Sequence, residues 1–299
     1  MEYMQEFRKP YNANELRGNP VVTYLLINHI NDMPEISINS CLKFSSAPIV
    51  VGYLNEFDLQ GVPNDPRIRF LKLNDSIESQ GSSKYTDFET LDFFLLVTYK
   101  WVLFKRLFDD GVEHLIYSDL DVVWYADVAE IMIQAHRNQN QVKFLVQSIT
   151  SDPGKPSLCM GIVSMVKSPE TENLIQKCHQ LHVGEVNRGF RYGDDDAVTD
   201  FNKTMNYPSW IRELPQSTFP VGMFINNYSK SSLFPGLFAT KPFLFHANYV
   251  IGERNKIALM RLANKLIASE RSKWGRWSVF LFLKRVRLLI GTLKNQVTK

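Results

Sequence analysis

The sequence predicts an α/β sandwich, and three observations carry that prediction. Short apolar runs rich in β-branched and aromatic residues recur along the chain, with helix-patterned stretches between them. The 299 residues suffice for one generous core, or a core with a small appendage. Apolar residues make up 44% and charged residues 22%, the balance of a soluble globular enzyme, and neither a repeat nor a low-complexity segment interrupts it.

The elements follow in order. Val21 to Asn28 (VVTYLLIN) reads as a buried first strand, Ile36 to Phe44 as a helix, and Pro48 to Tyr53 (PIVVGY) as a second strand. Ile68 to Leu73 (IRFLKL) fits a third, half-buried strand. One long helix is expected from Asp87 to Phe108, with Gly111 placed to end it. His114 to Tyr117 is the next strand, Ala126 to Asn138 a helix and Val142 to Gln147 a further strand. Pro153, Gly154 and Pro156 mark a loop; Met160 to Val166 is strand-like and Pro169 to His182 helical. Beyond Tyr207 the chain is rich in Pro, Gly, Phe and Asn and supports short elements at most, until a helix from Asn255 to Ser269.

Charge is distributed unevenly. The net charge is +3, yet residues 271–299 hold eight Lys or Arg and no Asp or Glu. The rest of the chain therefore carries 26 basic against 31 acidic side chains, a net of −5. A mildly acidic body with a basic tail points to an anionic surface met by the tail, and the lack of a basic stripe on the body argues against nucleic acid. Cys41, Cys159 and Cys178 are too few and too scattered for a disulfide framework or a zinc site, which fits a reducing compartment. Residues 1–20 lack the apolar core of a signal peptide, and the longest apolar candidate, Trp277 to Leu283, is far too short to span a bilayer. A cytoplasmic protein that touches a membrane is the expectation.

Two constellations carry chemistry. Asp119 and Asp121 stand two apart in Tyr117-Ser118-Asp119-Leu120-Asp121, at the end of an apolar strand. Extended backbone places both on one side, and strand ends are where open α/β sheets bind ligands. A divalent cation bridging a diphosphate takes hard oxygen ligands, including one or two protein carboxylates. A solvated acidic loop is the competing reading; the preceding strand and the apolar Val122-Val123-Trp124 weaken it. The second constellation is His246-Ala247-Asn248-Tyr249, then Gly252 and Lys256. Taken alone, His246 after Phe243-Leu244-Phe245 reads as a core imidazole. Its company changes that reading: a glycine permits close backbone approach, and a lysine one turn on can offset the charge of a leaving diphosphate. Imidazole with carboxylates suits manganese better than calcium.

Together, Tyr-Ser-Asp-Leu-Asp-Val-Val-Trp (117–124) and His-X-Asn-X-X-X-Gly-X-X-X-Lys (246–256) resemble the nucleotide-diphospho-sugar transferases. The resemblance is to the retaining enzymes of glycosyltransferase family 77, related to the glycogenin and galactosyltransferase group, and runs from about Val21 to Lys256. It implies a GT-A type fold: a Rossmann-like mixed sheet flanked by helices. It further implies Mn²⁺ (or Mg²⁺), a nucleotide-diphosphate sugar as donor, and transfer with retention to a hydroxyl of a glycan, glycolipid or protein. Carried over by position, Asp119 touches ribose and metal, Asp121 and His246 bind metal, and Lys256 meets the diphosphate, with Asn248 and Gly252 beside it in the donor site.

Three further matches are looser. Asn28, just past the first strand, stands where relatives contact the nucleotide; Lys100 matches a lysine near the donor phosphates or sugar; and Cys159-Met160-Gly161 stands where relatives have a small-residue turn beside the sugar. A strand end, an exposed helix lysine and a core turn are the equally open alternatives. Gly193-Asp194-Asp195-Asp196-Ala197-Val198 resembles the family's Asp-Gln-Asp-Ala-Leu stretch, with Asp195 in place of glutamine. Asp194 is then the expected contact to the reacting sugar, and Asp195 a second catalytic candidate in an altered role. Three adjacent carboxylates repel, so at least one should have a raised pKa or face solvent.

The domain reading is a polar extension (1–20), a GT-A domain (21–269) with a nucleotide-binding half (21–130) and an acceptor- and metal-completing half (131–269), and a basic tail (270–299). In that tail Val279, Phe280, Phe282, Leu283, Val286, Leu289 and Ile290 share one helical face, with Lys284, Arg285 and Arg287 mostly opposite and Trp274 and Trp277 preceding. An anionic bilayer suits such a helix, as does packing on the protein's own core. Two rival functions stand beside the transferase. Asp119-Leu120-Asp121-Val122-Val123, with Gly193-Asp194-Asp195 and Asp200, fits a haloacid-dehalogenase-like phosphatase, although several strands precede its would-be nucleophile. A non-catalytic nucleotide-sugar-binding module would keep the metal site without turnover.

Overall fold

The computed structural model describes residues 9–27, 32–55, 59–73, 90–149, 157–221, 242–248 and 253–268. In chain order these form α1 (Ala13–Leu16), β1 (Pro20–Leu26), α2 (Asp32–Phe44), β2 (Ile49–Tyr53) and β3 (Ile68–Lys72). Next come α3 (Leu91–Val97), α4 (Tyr99–Asp109), β4 (His114–Ser118), β5 (Val122–Trp124), α5 (Val128–Asn138) and β6 (Phe144–Ser148). The last are β7 (Leu158–Val166), α6 (Pro169–Asn187), α7 (Asp194–Thr204), β8 (Ile211–Leu214), β9 (Leu244–His246) and α8 (Glu253–Ala268).

Seven strands build one sheet in the order β3-β2-β1-β4-β7-β6-β8. Strands β3, β2, β1 and β4 are parallel, β7 runs against both β4 and β6, and β8 is parallel to β6. Six strands therefore point one way, and their C-terminal ends share an edge. Strands β5 and β9 pair antiparallel as a separate ribbon, Val122 opposite His246.

Both faces of the sheet are covered, which is why its strands read as unbroken apolar runs. Val21, Leu115 and Tyr117 pack into the layer that holds Trp101, Phe104, Leu107, Leu174 and Phe201 from α4, α6 and α7. Val22, Tyr24 and Ile116 pack into the opposite layer with Ile38, Cys41, Val128 and Met132 from α2 and α5. A third cluster, Val123, Tyr125, Phe245, Ala247 and Met260, fastens the ribbon to α8. Leu103, Phe104 and Leu107 are fully buried, each contributing roughly 1.5–3 kcal/mol by transfer from water, and they pin α4 against the sheet.

The single long helix expected from Asp87 is, among the described residues, two helices that meet at Thr98. The Thr98 hydroxyl donates to the Leu95 carbonyl at 2.6 Å, and Trp101 N donates to Thr98 O at 3.0 Å. These i, i+3 bonds tighten one turn and interrupt the regular ladder. Gly111 takes φ +91° just past α4 and closes it as expected. At the sheet's far edge, Tyr11 N donates to Phe70 O at 3.0 Å and Phe70 N to Lys9 O at 3.2 Å, so residues 9–11 run along β3.

Candidate active site

The end of β4 becomes a site because the chain turns sharply after Ser118. Asp119 N donates to Gly161 O at 2.7 Å, Val122 N to Asp119 O at 3.3 Å, and β5 then departs toward β9. This turn holds both carboxylates at the shared C-terminal edge. Asp119 is 33% exposed, whereas Asp121 and His246 are 6% and 2% exposed, so one acid faces outward and two ligand-type groups lie behind it.

His246 arrives through the ribbon. Its Nε2 lies 3.1 Å from Asp121 Oδ1 and 3.9 Å from Asp119 Oδ2. Its Nδ1 meets Gln147 Oε1 at 2.9 Å, and Ala247 N donates to Asp121 O at 2.9 Å. Gly161 lies against the ring: a Cβ there would stand 1.9 Å from Cε1, so only glycine lets the imidazole sit where it does. Lys256 Nζ, from α8, donates to Asp121 Oδ2 at 2.7 Å. Asn248 Nδ2 donates to Cys159 Sγ at 3.5 Å behind the imidazole.

A second group of charges adjoins the first, created by a bulge in β7. Pairing between β6 and β7 jumps from Val146–Val163 to Gln147–Cys159, leaving Met160 to Ile162 outside that ladder. The freed backbone of Met160 serves side chains instead. Its N donates to Asp195 Oδ1 at 2.6 Å, and its O accepts from Lys100 Nζ at 3.3 Å. Cys159-Met160-Gly161 therefore lies in an irregular stretch of strand, not a free turn. Lys100 is buried, donates to Asp194 Oδ2, lies 3.4 Å from Asp119 Oδ1 and sits 4.5 Å over the Tyr117 ring. Tyr117 Oη donates to Asp119 Oδ1 at 2.6 Å.

The three successive acids diverge in environment at the start of α7. Burial works against the Lys100 charge, but Asp119 and Asp194 outweigh it and hold the ammonium well above the usual lysine range. Burial likewise opposes the Asp194 carboxylate, and Lys100 overcomes it, holding Asp194 low. Asp195 has no such partner: burial, then the charge of Asp194, push it well above the ordinary carboxylate range. Asp196 stays at the surface and accepts from Gly193 N at 2.9 Å, capping the helix. Of the three, one is charged and paired, one is driven toward its neutral form and one faces solvent, as their adjacency requires. Asp121 is held low despite its burial, chiefly by the Lys256 ammonium.

Asp119, Asp121 and His246 each offer a ligand atom, and those atoms all lie within 4.8 Å of one another. Two carboxylates and an imidazole, with Nδ1 engaged elsewhere and Nε2 turned toward the acids, form a donor set that fits Mn²⁺ or Mg²⁺. Among the described residues this is the one such cluster. Of the sequence-derived candidates, Lys100, Asp119, Asp121, Gly161, Asp194, Asp195, His246, Asn248 and Lys256 converge in two linked groups. Asn28 and Gly252 lie outside the described residues. Gln147 was missed, although an amide side chain directly following the apolar Phe144-Leu145-Val146 run within a buried strand was a signal.

The profile of the nucleotide-diphospho-sugar transferase family matches residues 64–260, more than half the chain. Among solved structures, mouse xyloside xylosyltransferase 1 in its apo form is similar over 77% of this chain and 98% of its own, at 11% identity and a TM-score of 0.46. A glycosyltransferase involved in the glycosylation of the major capsid of PBCV-1 is similar over 81% of this chain and 99% of its own, at 7% identity and a TM-score of 0.51. The second likeness supports the GT-A type of fold that the mixed sheet and its flanking helices display. No curated protein sequence matches the chain.

Proposed function

The chain belongs to the nucleotide-diphospho-sugar transferase family, and we propose that it moves a sugar from a nucleotide-diphosphate donor to a hydroxyl acceptor at the end of β4. The observation that carries this reading is the convergence of Asp119 and Asp121, from the turn between β4 and β5, with His246 at the end of β9. These residues would hold a divalent cation, Mn²⁺ or Mg²⁺, which when bound supplies positive charge opposite the diphosphate leaving group.

The protein's own residues do the rest. Lys256, on the rim of the cation site, sets an ammonium beside the departing diphosphate, and Asp119, the exposed acid, is open to the donor ribose. Asp194, held ionised by Lys100, flanks the oxocarbenium-like anomeric carbon. The anomeric carbon–oxygen bond breaks to release nucleoside diphosphate. The acceptor hydroxyl attacks from the same face, and a diphosphate oxygen takes its proton, so configuration is retained. Asp194→Asn should lower kcat far more than it raises the donor KM.

A panel of nucleotide sugars incubated with Mn²⁺ tests the reading. A transferase releases nucleoside diphosphate slowly to water from its own donor and faster with acceptor. Release of inorganic phosphate would instead support the phosphatase alternative, and binding without any turnover the binding module. The acceptor we propose is a glycan or a glycolipid, because the sequence of residues 271–299, with eight Lys or Arg, no acid and apolar residues at helical spacing, would suit an anionic membrane on its cytoplasmic side. Those residues lie outside the described ones, and among the described residues no helix is long and apolar enough to cross a membrane. Liposome co-sedimentation of the full chain against one ending at Glu270 tests the docking, and equal pelleting of both would refute it.

A further inference from the structure

Gln147 is wholly buried, at the C-terminal end of β6 where β7 bulges away. Its two amide atoms are spoken for in a way that fixes their order. Nε2 donates to the Phe219 carbonyl at 3.2 Å, a group that can only accept. Oε1 is therefore the atom 2.9 Å from His246 Nδ1, and that contact is a hydrogen bond only if Nδ1 carries the proton. A neutral imidazole so held keeps its lone pair on Nε2, the nitrogen that faces Asp121 and Asp119. Cys159 Sγ lies 4.0 Å from Nδ1, the outer limit of a sulfur contact against 2.9 Å for Gln147, and Gly161 leaves no room for the ring to move toward β7.

We propose that Gln147 is a positioning residue that sets the tautomer and rotation of His246, so that Nε2 is the nitrogen offered to a divalent cation between Asp119 and Asp121. The claim rests on reading His246 as a metal ligand, and it adds the group that prepares it. Side chains in this role are worth about 10- to 100-fold in metal affinity.

The test uses the full chain with Gln147→Met, which keeps length and loses both polar atoms, and Gln147→Glu, which returns an oxygen to Nδ1. Mn²⁺ affinity by calorimetry should fall about 10- to 100-fold in Gln147→Met and recover to within a few-fold of wild type in Gln147→Glu. Imidazole ¹⁵N shifts of the metal-free protein, recorded where His246 is neutral, read the tautomer directly. Wild type and Gln147→Glu should show protonated Nδ1, and Gln147→Met a shift toward protonated Nε2. Protonated Nε2 in the wild type, or unchanged affinity in a folded Gln147→Met, overturns the proposal. A wild type that binds no Mn²⁺ yet shows protonated Nδ1 would remove the metal site while leaving Gln147's hold on His246 standing. If Gln147→Met does not fold, the wild-type spectrum and the Gln147→Glu affinity still decide.

Discussion

Histidines gather near both ends of strand β4 in opposite circumstances. At its start, His114 Nε2 lies 2.7 Å from Ser164 Oγ, which lies 3.1 Å from His136 Nε2, while His136 Nδ1 meets the Val142 carbonyl at 3.0 Å. That chain ends on a backbone acceptor and contains no carboxylate. Burial, then the neighbouring His136, draw His114 down to about 3, so its ring stays neutral. At the other end, His246 turns one nitrogen to an amide and the other to two acids. There Asp119, Asp121, Asp194 and Asp195 gather around Lys100 and Lys256. Even with Asp195 neutral, three carboxylates face two ammonium groups. A closed network asks nothing of a ligand; an acidic excess in a partly dry cleft invites a cation. Burial alone does not mark a functional histidine, whereas a nitrogen aimed at incompletely neutralised acids does.

Substitutions at the acidic end should have the largest effect. Asp121→Asn or His246→Ala should lower Mn²⁺-dependent donor turnover by more than about 100-fold while circular dichroism and melting remain those of a folded protein. Near wild-type turnover with unchanged metal dependence would remove the contrast between the two ends. Lys100→Met comes next, because it leaves Asp194 without its buried partner. It should cost about 3–5 kcal/mol in denaturant unfolding at neutral pH. The exposed pair of Lys105 with Asp109, one turn further along the same helix, should contribute little, so Lys105→Ala serves as the control.

Much of this contrast was legible in the sequence, and the illegible part has physical causes. The apolar run before Asp119 announced a strand end, and Phe243 to Phe245 announced the strand that delivers His246. Helical pattern alone made Lys100 an exposed lysine, and only the family resemblance put it near the donor. Its burial depends on the tight turn at Thr98 and on the bulge that frees Met160 O, both matters of tertiary context. The same bulge lies behind Asp195, whose place in a row of three acids foretold a raised pKa or solvent exposure for at least one of them without saying which. Strand β5, its pairing with β9 and helix α7 were missed because a three-residue strand and a helix opened by consecutive aspartates carry weak periodicity. The pairing of residues 9–11 with β3 is backbone hydrogen bonding, which side-chain pattern does not record.

Two smaller effects sharpen the comparison. Ser164→Ala breaks the closed network and strands two imidazole nitrogens, costing about 1–3 kcal/mol of stability. It should leave donor turnover per folded molecule unchanged; a loss of turnover would mean that the two ends are coupled. The least effect is expected from Asp195→Asn. In the unfolded chain Asp195 loses its proton near its ordinary 3.8, while the folded protein keeps it to higher pH. The native state thus binds the extra proton in that window, and stability falls as pH rises from the unfolded toward the folded value. Asparagine removes that slope and keeps an oxygen for Met160 N. The variant should melt higher than wild type at pH 7, with the gain vanishing toward pH 4. A constant difference across that range would show that Asp195 ionises normally.

The central claim is that Asp119, Asp121 and His246 form one cation site. Mn²⁺ titration followed by electron paramagnetic resonance of the free ion tests it most directly, on wild type, Asp121→Asn and His246→Ala. The account predicts one strong site per wild-type chain, lost in each variant while the fold persists. Equal Mn²⁺ binding by all three proteins, or no strong site in the wild type even with nucleoside diphosphate present, would contradict it.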